Sequence, residues 1–221
     1  MTNIDRLAEE IAQLRQIDAF DVLRSRNTLT LDARRKSGVL RQVFKDVVKV
    51  GASEHVLESL AIDDVMYVHW KKRGSTAQDE VVGEFYLQSA LLFAGRIDIG
   101  EPFMSQNDYG IDLNTLRVFD YGAFEGGPIY AMLRMEGRTL GEEVIIFDKE
   151  QMFRTSLTYA TYLQTLLLTR GFKLWQYLFC DGARPLPADV DSMARSLAFL
   201  RTTFPQDDFA DLDSALGRMR K

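Results

Sequence analysis

The chain has 221 residues, of which 46% are hydrophobic and 27% charged, enough to bury a sizeable core and too apolar for disorder. Its formal charge is -5, which disfavours a broad nucleic-acid surface, since that needs a basic face to displace counterions. A mildly acidic surface remains well suited to a basic protein partner.

The opening residues predict an amphipathic helix, because Ile4, Leu7, Ile11, Leu14 and Ile17 recur at three- or four-residue spacing. Paired apolar positions from Val39 to Val48 predict a second helix over residues 33–50, stopped at Gly51. Ser53 is placed to cap a short third helix with Val56, Leu57 and Leu60, so the first sixty residues read as all-helical. No signal-like apolar run opens the chain, and the single cysteine, Cys180, rules out an internal disulfide. Both features fit a reducing, cytoplasmic setting.

Strand chemistry begins at residue 65. Val65–Trp70 and Val81–Leu87 are rich in β-branched and aromatic residues and flank the polar run Lys71-Lys72-Arg73-Gly74-Ser75. Another strand is expected over residues 91–99, then a turn-rich loop over 105–114. Leu116–Asp120 reads as a short strand, and Ile129–Met135 alternates as one face of a sheet would. Val144–Phe147 is apolar on both sides, predicting a central strand covered on both faces.

The uncharged stretch beginning at Thr155 predicts a buried helix ended by Gly171, and Phe172–Phe179 a shorter one. Beyond Pro185 and Pro187, the spacing of Val190, Met193, Leu197 and Leu200 predicts another helix, and Pro205 precedes an acidic turn with Leu212 and Leu216. Strands grouped between helices define an α+β class, with a mainly antiparallel sheet of about four to six strands. Three regions are expected: an N-terminal helical extension over 1–62, a core over 63–180 and a C-terminal helical extension over 181–221.

The residue types that usually build active sites are sparse. His55 and His69 belong to no metal-binding spacing, so neither a metal nor a cofactor is expected. Cys180 sits where a helix C-terminus would disfavour its thiolate. The glycine run Gly122 to Pro128 leads into a strand, whereas phosphate loops open a helix. Arg34-Arg35-Lys36 and Lys71-Lys72-Arg73 read as solvated turns, without the stacking aromatics of an RNA surface. The acidic and aromatic residues Asp108, Tyr109, Asp112, Asp120, Tyr121, Phe124 and Glu125 fall on two loops and suit a protein interface.

In order of features, residues 64–168 resemble the SUKH superfamily of immunity proteins from bacterial polymorphic toxin systems. Leu116–Met135 is similar to its strand, acidic and glycine turn, and following strand, and Glu143–Asp148 to the next strand. Phe153–Leu167 is similar to its closing Ser-Phe-x-x-Phe-Leu helix, with Tyr159, Tyr162 and Leu163 as the matching positions. The family's Leu-Pro-x-x-Tyr opening and Asn-Gly turn have no counterpart here. The resemblance implies a non-enzymatic protein that neutralises a cognate toxin by covering its active site. Two other readings stay open: a carboxylate enzyme using residues 108–125, and an assembly scaffold built on the terminal helices.

Overall fold

A computed structural model describes residues 3–26, 51–52, 56, 65–88, 111–122, 129–148 and 151–220. Within them, helix α1 (Asn3–Leu14) precedes strands β1 (Phe20–Arg26), β2 (Gly51–Ala52), β3 (Met66–Lys72), β4 (Val82–Leu87), β5 (Leu116–Tyr121), β6 (Tyr130–Glu136), β7 (Thr139–Asp148) and β8 (Gln151–Thr158). Helices α2 (Tyr159–Thr169), α3 (Pro187–Thr203) and α4 (Ala210–Met219) complete the order, with a 3-10 turn at Trp175–Phe179. The strands form one sheet in the order β1-β3-β4-β5-β6-β7-β2, and β8 also pairs with β7. All pairings are antiparallel except the two-residue β2 against β7. The α+β class therefore holds, with a sheet larger than four to six strands.

The apolar stripe of α1 works as its spacing requires. Ile4, Leu7, Ile11 and Leu14 are buried in the same cluster as Trp70, Phe85, Leu133, Ile146, Leu166, Leu197 and Leu216. This core draws on all four described helices and one face of the sheet. On the opposite face, Val118, Met132, Ile145, Phe147 and Met152 form a smaller cluster with Ile111 and Leu116. Strand β7 feeds both, Val144 and Ile146 into one and Ile145 and Phe147 into the other, as its two-sided apolar run predicts. Strands β6 and β7 turn through Gly137 and Arg138, with Gly137 at φ 61, the positive φ that a tight hairpin needs.

Two expectations are corrected. The first sixty residues are not all-helical, because Phe20–Arg26 pairs with β3 as an edge strand. Its register shifts between Val22 and Arg24, and charged side chains along it discourage further pairing. The helix expected from Thr155 begins at Tyr159; the residues before it form β8, buried at Met152, Thr155 and Leu157 and exposed at Arg154, Ser156 and Thr158. Thr158 then caps α2 in a reciprocal capping box with Thr161. The helix expected over 33–50 and the strand over 91–99 lie outside the described residues. So do His55 and Arg34-Arg35-Lys36, while Val56 is described and buried.

Lys72 and Arg73 have local structural roles. Lys72 pairs with Asp79 at 3.0 Å; Arg73 reaches Asp21 at 2.8 Å and the Phe20 carbonyl at 3.1 Å, tying the β3–β4 turn to β1. Trp70 lies over its cross-strand neighbour Gly83 and donates to the Arg170 carbonyl at 2.7 Å. A Cβ at position 83 would stand 2.4 Å from the Trp70 ring. Gly83→Ala should therefore displace a fully buried indole and cost about 1–3 kcal/mol, the usual range for overpacking. Urea denaturation followed by tryptophan fluorescence checks this, and an unchanged midpoint would refute it.

Candidate functional site

Of the expected interface residues, Asp112, Asp120 and Tyr121 are described, and these three do not form one patch. Asp112 caps the 3-10 turn ahead of β5, accepting from the Asn114 backbone N–H at 2.9 Å, whereas Tyr121 ends that strand. Asp112 and Tyr121 thus stand at opposite ends of β5, where Leu116 and Asp120 are separated by four strand steps, about 13 Å. Asp108, Tyr109, Phe124 and Glu125 lie outside the described residues.

Asp120 is not on a loop rim but 2% exposed beneath the sheet, a correction to its expected place. Strand alternation would set Asp120 opposite Phe119. A register shift between Val118 and Asp120 adds one residue, so Phe119 and Asp120 both face the helices and Tyr121 faces away. The Asp120 carboxylate accepts the Tyr86 backbone N–H at 2.8 Å and the Tyr162 hydroxyl of α2 at 2.7 Å. Burial pushes this carboxyl up to about 6, against the opposing pull of its hydrogen bonds from Tyr162, Tyr86 and Tyr121.

Tyr121 instead enters an aromatic row on the sheet face away from the helices. Ring centroids step 5.5 Å from Tyr67 to Tyr86, 4.5 Å to Tyr121 and 6.2 Å to Tyr130, across strands β3 to β6. Burial, then the neighbouring Tyr86, pushes the Tyr121 hydroxyl up to about 12. These tyrosines are half-buried.

A cleft arises where β4 and β5 part. Their described pairing is confined to Leu87 with Asp120, next to the Gln88 N–H bond to the Phe119 carbonyl. Further along β4, the Glu84 N–H donates to the Gly171 carbonyl and the Lys173 N–H to the Val82 carbonyl, so residues 171–173 stand where a sheet neighbour would. Asp120 satisfies the Tyr86 N–H at the fork. Gly171 is required there, with φ 68 and a Cβ position only 2.6 Å from the Glu84 carbonyl oxygen. Leu174 follows at φ 69, an uncommon backbone state for a bulky residue and a strain of order 1–3 kcal/mol.

The space left has a volume of about 310 Å³ and collects residues distant in sequence. Its polar lining includes Glu84, Asp148, Lys173, Tyr177, Arg184 and Asp189, and its apolar lining includes Ile129, Phe153 and Leu186. Asp148 is 5% exposed at the end of β7 and accepts a hydrogen bond from the Tyr177 hydroxyl, with Phe153 edge-on to the Tyr177 ring at 5.6 Å. Burial, then this bond to Asp148, raises the Tyr177 pKa, so the hydroxyl keeps its proton and remains a donor. Leu186 is 69% exposed on the cleft wall, beside Arg184 and Pro185.

The sequence gives no sign that these residues meet, because they come from β4, the residue before β6, β7, β8, the segment after α2 and the first turn of α3. The nearest signal was the pair of prolines at 185 and 187, which marks the irregular segment carrying Leu186. Cys180 lies close by and its thiol donates to the Gln176 carbonyl at 3.3 Å. Burial pushes that thiol up to about 12, with Asp181 and Asp148 adding to the effect, so its thiolate is disfavoured as its sequence position implies. Among the described residues no group of three or more His, Cys, Asp or Glu is placed to hold a metal ion, and no helix is long and apolar enough to cross a membrane. No family model, curated protein or solved structure matches the chain.

Proposed function

We propose that the chain is a binding protein of the immunity type, which recognises a partner toxin and neutralises it by covering its active site. The observation that carries this reading is the cleft at the β4–β5 fork, where charges of both signs surround a pocket with an exposed leucine on its wall. An apolar anchor beside paired charges is the make-up of a protein interface, the anchor supplying affinity and the charges orientation. The SUKH resemblance supports the same reading. Its segment folds as β5, the β6–β7 hairpin, then β8 leading into the capped helix α2.

Of the carboxylates in the alternative enzyme reading over residues 108–125, Asp108 and Glu125 lie outside the described residues, and the pair Asp112 and Asp120 draws no support from its placement. Leu116 already lies about 13 Å of strand from Asp120, and Asp112 lies beyond it, whereas carboxylate pairs in hydrolysis work about 5–9.5 Å apart.

Co-expression with the product of the adjacent reading frame tests the proposal. The expected result is co-purification and rescue of growth from that product's toxicity, with both reduced by Leu186→Asp. Neither binding nor protection by the unaltered chain would overturn it.

A further inference from the structure

We infer that the cleft receives an arginine side chain presented by the partner, its guanidinium paired with Asp148 and its methylenes lying along Phe153 and Leu186. This rests on the protein-binding reading and specifies what the interface recognises. Asp148 is 5% exposed, yet its hydrogen bond comes from a neutral hydroxyl, that of Tyr177, and it forms no ion pair with a described residue. A carboxylate offers about four acceptor positions, and among the described residues one hydroxyl occupies one of them. A buried charge in that condition is stabilised by a cation that brings several donors.

Arginine fits better than lysine. Its planar guanidinium matches a carboxylate with two parallel bonds and stacks on aromatic faces, here those of Tyr177 and Phe153. The cleft's own cations, Lys173 and Arg184, are both at least partly exposed, and neither pairs with a described carboxylate. Set against Glu84, Asp148 and Asp189, they leave the described lining residues with one negative charge in excess. They compete with an incoming guanidinium, which makes them a useful control.

The test follows backbone amide shifts of Gln151, Lys173, Gln176 and Leu186 in the intact chain. Acetyl-Gly-Arg-Gly-amide should shift them saturably, and Asp148→Asn should weaken binding about tenfold or more, a loss of about 1.4 kcal/mol. Lys173→Gln with Arg184→Gln, which leaves Asp148 untouched, should strengthen it. The inference is overturned if acetyl-Gly-Glu-Gly-amide shifts these amides instead, if the arginine peptide binds D148N unchanged, or if the double variant binds it more weakly. Free arginine binding more tightly than the blocked peptide would assign the cleft to a small molecule and overturn the protein source. A partner retained undiminished by D148N would sink the arginine site alone. A cleft that binds the arginine peptide in a chain with no protein partner would sink the immunity reading alone.

Discussion

Replacing Arg170 with alanine is expected to remove about 3–5 kcal/mol of folding stability, the range for breaking a buried charge network by deleting one member. Arg170 ends α2 with φ 49 and is 6% exposed. Its guanidinium donates through Nε and Nη2 to Glu10 of α1, at 2.9 and 2.6 Å, and through Nη1 to Asp207 at 2.6 Å and the Leu168 carbonyl at 2.9 Å. The same group lies 3.8 Å from the centroid of the Phe204 ring, and the backbone carbonyl of Arg170 receives the Trp70 indole N–H at 2.7 Å. One residue thus joins α1, α2, β3 and the connection between α3 and α4. Alanine would leave two partly buried carboxylates facing each other without a cation. Arg170→Lys should recover only part of the loss, because an ammonium lacks the planar fork that serves both partners. Urea denaturation gives the measurement, and a loss below about 1 kcal/mol, the usual worth of an exposed pair, would refute the network's importance.

Asp120 gives the second large effect, and its sign depends on pH. The folded chain holds this carboxyl at about 6 against an ordinary 3.8, so the folded state keeps a proton that the unfolded state has already released. The resulting stabilisation is complete below the ordinary value and is lost as pH rises through about 6. About two units correspond to roughly 3 kcal/mol. Asp120→Asn keeps an acceptor for the Tyr86 N–H and removes the titration. The stability difference between wild type and D120N should therefore move by roughly 2.5 kcal/mol in favour of wild type between pH 7.5 and pH 4. Other carboxylates contribute to both chains and cancel. Asp120→Ala should lose about 2–4 kcal/mol at pH 4, since two buried donors lose their acceptor, and less at pH 7.5, where the titration no longer favours wild type. Parallel pH profiles for wild type and D120N would contradict this assignment.

How much of the fold was legible in the sequence depends on the range of the interactions involved. The α1 stripe is a local period, and Ile4, Leu7, Ile11 and Leu14 occupy the core as it predicts. The two-sided apolar run of β7 likewise announces a strand buried on both faces. Strand β1 was invisible because edge strands are defended with charge, and Arg24, Ser25 and Arg26 mask its pairing with β3. The β8–α2 boundary was obscured by an uncharged Thr- and Leu-rich run that suits either state, and the Thr158 cap decides it. Asp120 was misplaced for a different reason: one extra residue in β5 reverses the facing of Asp120 and Tyr121, and alternation cannot reveal a bulge. The cleft was hidden more deeply, since Glu84, Asp148, Lys173 and Leu186 meet only once β4 and β5 have parted.

Hydrogen exchange of the complex, formed with the co-expressed partner, tests most directly whether the fork between β4 and β5 is where recognition occurs. Slowed exchange relative to the free chain is expected in residues 171–174, 184–189 and 148–153. Protection confined to other surfaces, with these segments unchanged, would contradict recognition at the fork.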